Sequence, residues 1–219
     1  HILEKRLFAN LPDEAGVVEI AKAYKEAVLE AKQMGYTNMS PDQIFLGVRD
    51  AYPFHPSIKD LYARFKENPG FQQTRGLIRL MRMIVAQLYG GNNPPAKTRQ
   101  LINVFDFNLN DRSLLTVVSQ IKPSLTNAIA HDIASNGRAI AEVVDAELEQ
   151  TVMGELSKLL FVASMADVPN ALLGLTLQDT IGYLCQPGKD ITRVKKALDD
   201  FIMKAWYLYT DRDGRLFFK

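Results

Sequence analysis

Residues 177–218 read LQDTIGYL, CQPG, KD, ITRVKKALDDFIMKA, WYLYT, DRDG and RLFF in succession. The first run has helical spacing from Leu177 to Leu184, and Cys185-Gln186-Pro187-Gly188 is a turn. Across Ile191–Ala205, residues Val194, Ala197, Leu198, Phe201, Ile202 and Ala205 fall on one helical face. Trp206–Thr210 and Arg215–Phe218 are aromatic, β-favouring runs around Asp211-Arg212-Asp213-Gly214, the pattern of a β-hairpin. Helix, turn, helix, hairpin is the order of a winged helix. The chain is therefore expected to be mainly α, closing on a winged helix with one small hairpin.

Upstream of this stretch the period stays helical. Val17, Ile20, Ala21, Tyr24, Ala27, Val28 and Ala31 mark a helix that starts near Pro12-Asp13-Glu14 and stops at Gly35. Ser40 is placed as the N-cap of a second helix with Pro41 at its first position. Ser57 is assigned as cap of a third, carrying Ile58, Leu61, Tyr62 and Phe65, and Thr74 as cap of a fourth, largely apolar one that ends at Gly90-Gly91-Asn92-Asn93-Pro94-Pro95. Leu101–Phe107 reads as a short strand and Asn110–Ser113 as a turn or cap. Helices are expected over Ser124–Ala134, Arg138–Gln150 and Thr151–Met165, with a break at Ser135-Asn136-Gly137.

The chain has 219 residues, 47% apolar and 23% charged, enough for a sizeable core in a soluble globular protein. One cysteine, Cys185, excludes an internal disulfide and any multi-cysteine metal site. No apolar run approaches the roughly 18 residues of a membrane span. The chain opens at His1 in mid-pattern, as a piece of something longer would, without a signal peptide, and the expected compartment is cytoplasmic. Net charge is only +1, which excludes a wholesale polycation, yet residues 57–104 alone carry +6 between flanks of −2, −4 and +1. A local surplus of this kind suits phosphate, nucleic acid or an acidic partner surface.

Catalytic motifs are missing. Gly188-Lys189-Asp190 has the Gly-Lys pair of a P-loop without its first glycine or its Ser/Thr. His1, His55 and His131 are scattered; His55, between Phe54 and Pro56, reads as a packed or capping side chain, and Cys185 as a small buried residue. No autonomous enzyme is expected. The basic helix stands out instead. Arg75, Arg79 and Arg82 are spaced by four and three on one face, where unmet guanidinium groups cost desolvation and repulsion. They either pair with nearby carboxylates such as Asp50 and Asp60 or meet phosphate, which the planar fork of arginine suits. On the second helix of this segment, Ile191–Ala205, Arg193, Lys195, Lys196 and Lys204 face outward beside Asp199 and Asp200, and Arg212 and Arg215 sit in the wing beside Asp211 and Asp213. Arg193, Lys195, Lys196 and Arg215 are the candidates for contact with nucleic acid or a protein partner.

Ala51-Tyr-Pro-Phe-His-Pro56 followed by Phe71-Gln-Gln-Thr-Arg-Gly-Leu-Ile-Arg-Leu-Met81 resembles family 499 of the domains of unknown function, bacterial and archaeal proteins similar to AAA+ P-loop ATPases. Lys5–Phe8, Asp132-Ile133, Arg138-Ala139, Val144-Asp145 and the terminal Trp-Tyr-Leu with its Asp-Gly-Arg turn fit the same pattern. The resemblance implies that residues 1–90 form a AAA+ lid-like helical bundle, 91–150 a linker with connecting helices, and 151–219 the winged helix. It implies Arg79 of Gly76-Leu-Ile-Arg79 as the sensor-2 arginine on the nucleotide γ-phosphate, with Arg75 second. The fragment itself would carry no cofactor; ATP and Mg would belong to the parent ATPase, whose P-loop core lies upstream in the same chain. Family members are often associated with DNA methylation and phage-defence gene sets, and ring assembly, hence a homo-oligomer, is common in this ATPase class. The leading expectation is thus a non-catalytic lid plus winged helix coupling nucleotide state to DNA or a partner protein. The competing ones are a stand-alone nucleic-acid-binding winged-helix module using Lys59–Arg99, and a structural helical interaction domain.

Overall fold

The computed structural model describes residues 12–71, 73–92, 94–95 and 99–219, without the side chains of Gln73 and Thr74. The Lys5–Phe8 match and the Thr74 cap lie outside the described residues. The chain is mainly helical with one small antiparallel sheet. Helix α1 (Glu14–Gln33) is capped by Asp13, and Gly35 at φ 75° turns the chain away. Helix α2 (Pro41–Ala51) has Ser40 as N-cap, its side chain accepting from the Gln43 N–H, with Pro41 at the first position. Helix α3 (Pro56–Phe65) departs from expectation: its cap is His55, whose Nδ1 accepts from the Ser57 N–H at 3.1 Å, and Ser57 lies inside the helix. Helix α4 (Gln73–Tyr89) follows the Asn68–Gly70 turn.

Leu101–Phe107 is not a strand. Apart from one parallel bridge between Phe54 and Ile102, it is an irregular segment, buried throughout. Asp106 Oδ2 accepts from the Asn103 N–H at 2.8 Å, and this local turn competes with extended pairing. Asp111, within the Asn110–Ser113 segment that reads as a turn or cap, is the N-cap of α5 (Arg112–Ile121), a helix the sequence pattern does not indicate beyond that cap. The helix expected over Ser124–Ala134 is broken into a 3₁₀ turn (Pro123–Leu125), a single α turn (Thr126–Ala128) and a π turn (Ile129–Ile133). Helix α6 is shorter than expected (Ile140–Glu147), because Glu142 reaches back to the N–H groups of Ser135, Gly137 and Ala139 and folds 135–139 into a loop. Helices α7 (Val152–Ala163), α8 (Leu177–Leu184) and α9 (Ile191–Lys204) and strands β1 (Leu208–Thr210) and β2 (Leu216–Phe218) follow the sequence reading closely.

Helix α7 is the axis of the molecule. It is apolar around nearly its whole circumference and touches α3, α6, α8, α9, β2 and the π turn. Among the described residues the buried side chains form one connected core from Ala21 to Phe218, continuous across positions 90 and 150. Polar pins fasten the termini of this arrangement. Asp132, fully buried, accepts from the Trp206 and Tyr207 N–H groups at 3.1 and 2.8 Å and so seats the hairpin on the π turn. Arg64 and Arg215 both donate to the Gly174 carbonyl, at 2.9 and 2.7 Å, just before Leu175 forms an antiparallel bridge with Leu216.

Candidate anion site and a charged cleft

Phe71, buried after the Asn68–Gly70 turn, sets the start of α4. Gly76 lies against the Phe71 carbonyl, and a Cβ there would stand 1.7 Å from its oxygen, so this position admits no side chain. Arg75, directly before Gly76, and Arg79, one turn further along α4, line a cleft of about 330 Å³, closed opposite by Val117, Gln120 and Ile121 of α5. Both arginines are exposed, and no carboxylate lines the cleft. The carboxylates considered as partners are engaged elsewhere: Asp50 pairs with Arg49 at 3.0 Å, and Asp60 accepts from the Tyr183 hydroxyl at 3.1 Å. Among the described residues neither Arg75 nor Arg79 is in an ion pair. Two guanidinium groups over a carboxylate-free cleft can chelate an oxyanion. Arg82, also exposed, does not line it.

The other predicted contacts are dispersed. Lys195 is held by Asp199 one turn on, at 2.7 Å to Oδ1. Arg193 and Lys196 share a small cleft of about 220 Å³ with Leu148 and Asp200. Arg215 is half-buried, with Nε on the Leu173 carbonyl at 3.0 Å and Nη2 on that of Gly174.

A second site escaped the sequence reading. Glu155 and Lys158, one turn apart on the buried axis α7, meet Arg99, Asp106 and Lys189 in its interior. Glu155 takes Lys189 as its hydrogen-bonded partner, with Arg99 at 3.8 Å, and Arg99 also lies 3.1 Å from Asp106 Oδ1. Lys158 donates to the Phe107 carbonyl at 3.1 Å and lies over the Phe107 ring, 5.7 Å from its centroid. Burial pushes the Lys158 ammonium down and the Asp106 and Asp145 carboxyls up. Burial also raises the Glu142 carboxyl, but its hydrogen bonds from Asn110 and the backbone outweigh that and hold it below the usual range. These groups border a cleft of about 660 Å³ between α7 and the 105–111 segment. The signal was available: Glu155 and Lys158 are the two charges inside an otherwise apolar helix, where a charge is kept only if it is met.

Among the described residues no group of three His, Cys, Asp or Glu side chains is placed to hold a metal ion. Cys185 is buried, and its thiol is pushed up to about 12 by that burial, far from a reactive thiolate. No helix among the described residues is long and apolar enough to cross a membrane.

Comparison with known families gives one match: residues 1–177 fit the family model described as DUF499 second domain. The chain belongs to the DUF499 family. No curated protein and no solved structure matches it. The DUF499 match takes in both motif segments, the Arg75/Arg79 cleft and the whole of α7, and ends at the first residue of α8. The Ala51–Pro56 motif of the resemblance forms the α2–α3 corner, where Pro53 and His55 hold Ile102 through two backbone hydrogen bonds of 2.8 Å.

Proposed function

We propose that this DUF499 domain is a non-catalytic, AAA+ lid-like module that presents Arg79, with Arg75 beside it, to a nucleotide phosphate held by a P-loop core elsewhere in the parent protein. The observation that carries the reading is the cleft in which two exposed, unpaired arginines converge with no carboxylate in its lining. ATP and Mg would be bound by that core, in the cytoplasm; what this chain contributes is fixed positive charge against the phosphate, which stabilises charge developing in phosphoryl transfer. Gly76 supports the assignment, because it keeps α4 packed on Phe71 and so fixes the direction in which both arginines point.

In the same reading α8, α9 and the hairpin are a winged helix that passes the nucleotide state to DNA or a protein. The bridge from Leu175 to Leu216 favours it, since a short extended segment ahead of the helix pair then joins the wing. Arg193 and Lys196 remain its open contacts; Lys195 and Arg215 are already bound within the chain.

The test is ATP hydrolysis by the full-length parent, wild type against Arg79→Ala, with circular dichroism to verify folding. Loss of about 100-fold in turnover with the fold intact is the expected outcome, in line with removal of a group that stabilises transition-state charge. Unchanged turnover in both Arg79→Ala and Arg75→Ala would remove the phosphate-sensing role.

A further inference from the structure

Most of the exposed large apolar side chains are scattered singly, but Met203, Trp206 and Tyr209 fall within seven residues where α9 passes into the hairpin, 84%, 73% and 48% exposed. The hairpin register sets further rings beside them. Tyr209 stands directly opposite Phe217, ring centroids 6.2 Å apart, and Tyr207 lies two positions before Tyr209, so the three share one face. Leu216 and Phe218, which alternate with Phe217 on β2, are buried in the core, so this face looks outward. His131 joins it to Trp206: its ring lies 5.9 Å from that of Tyr207 and 4.6 Å from the indole. The result is a strip of five rings. Trp206, at one end, rests one face against His131 and leaves the other open.

The charge around the strip is positive. From Ile191 to Lys219 the chain carries seven basic side chains against four acidic ones, net +3. Lys195 and Asp199 cancel as a pair, and Arg215 is held by two backbone carbonyls. The Asp211 carboxylate is turned onto the N–H groups of Asp213 and Arg215, and Asp132, beneath the strip, is met by two N–H groups and by His131 at 2.7 Å. Lys204, two residues before Trp206, and Arg212, three beyond Tyr209, are exposed, and among the described residues neither is in an ion pair. Lys219, opposite Tyr207, is a third exposed cation in the same state. Free cations thus stand at both ends of the rings.

We infer that the outer face of the hairpin is a stacking platform for single-stranded nucleic acid, with bases on the Trp206 and Tyr209 rings and backbone phosphates on Lys204 and Arg212. Open ring faces interleaved with unpaired cations match the two parts of a single strand, its bases and its phosphates. A duplex gains little from them, because its bases are stacked on one another and offer only their edges. The centre of a protein–protein contact is depleted of charge, which three free cations around the rings disfavour. The inference extends the winged-helix arm of the reading above and does not depend on Arg79 meeting a nucleotide.

The test is fluorescence anisotropy of the 219-residue chain with a labelled single strand of about twelve deoxythymidines, set beside a duplex of the same length. Folding of each variant is verified by circular dichroism. The single strand is expected to bind more tightly than the duplex and to weaken as salt rises. Trp206→Ala and Tyr209→Ala are each expected to lose about tenfold in affinity, Trp206→Phe to keep most of it, and Arg212→Glu to flatten the salt dependence. Arg79→Ala is expected to leave binding unchanged, so this inference and the phosphate-sensing role fail separately. Equal or tighter binding of the duplex, unchanged affinity in both alanine variants, or no binding of the single strand at low salt would overturn the assignment. A dimer abolished by Trp206→Ala, with no strand bound, would make the face an interface between copies of the chain instead.

Discussion

His55 shows how one side chain ties sequence to stability. Its Nδ1 caps α3, while its Nε2 is buried with no hydrogen-bond partner, and burial, helped by the Lys189 charge, pushes its pKa down to about 3. The folded state therefore holds His55 neutral where the unfolded chain would protonate it near 6.5. Between those values the unfolded state binds the extra proton, so stability contributed by the neutral ring is full above pH 6.5 and drains away by about 1.4 kcal/mol per unit as pH falls. In urea titrations at several pH values, wild type is expected to lose that much per unit below pH 6.5 relative to His55→Asn, which can also cap; parallel pH profiles would refute it. At Gly76 the expectation is steric. Gly76→Ala drives a methyl into the Phe71 carbonyl and is expected to cost about 2 kcal/mol or more, read as a lower urea midpoint at unchanged slope. Residue identity made some of this legible in advance. His55 between Phe54 and Pro56 reads as packed or capping, whereas the pattern puts the cap at Ser57, the ordinary capping residue after the two prolines; the helix instead starts at Pro56, so the cap falls on His55.

At the scale of elements, periodicity located α1, α2, α8, α9 and the hairpin, where apolar spacing and capping residues agree. It failed where local polar bonds compete with the pattern. The Asn103–Asp106 turn cancels a strand that Leu101–Phe107 otherwise spells, and Glu142 takes the backbone of 135–139 out of α6. The Arg75/Arg79 cleft was partly legible, since the i, i+4 spacing places both arginines on one side, but its opposite wall comes from α5, which the sequence reading did not find. The ion network on α7 depends on residues separated by up to ninety positions, Arg99 to Lys189, which periodicity does not connect. Removing its shared carboxylate is expected to be severe. Glu155→Gln leaves Lys189 and Arg99 without their common partner and is expected to cost about 3 kcal/mol in urea unfolding, while Lys195→Ala, which breaks an exposed pair, is expected to cost under about 0.5 kcal/mol. Equal effects of the two would show that the network is not a buried one.

For the whole molecule the decisive fact is that α7 is covered on nearly every side, open only where Gly154, Glu155 and Lys158 border the cleft. Val194, Leu198 and Phe201 of α9 and Leu216 and Phe218 of β2 belong to the same core as α3 and α4. The three-part division at 90 and 150 does not coincide with a break in that core. A chain cut at 177, where the family match ends, would expose the α7 side that α9 and β2 cover. Residues 1–177 alone are expected to show helical circular dichroism without a cooperative thermal transition, and the 219-residue chain a single one. A sharp transition in the shorter chain would make the last segment a separable domain. The seating of the hairpin has an optical consequence. Trp206 is the chain's only tryptophan, and its indole lies against the His131 ring, centroids 4.6 Å apart, while its backbone N–H is anchored on Asp132. Any event that lifts the hairpin from the π turn separates indole from imidazole, so the intrinsic emission of the unlabelled protein is a gauge of whether its last fourteen residues are docked.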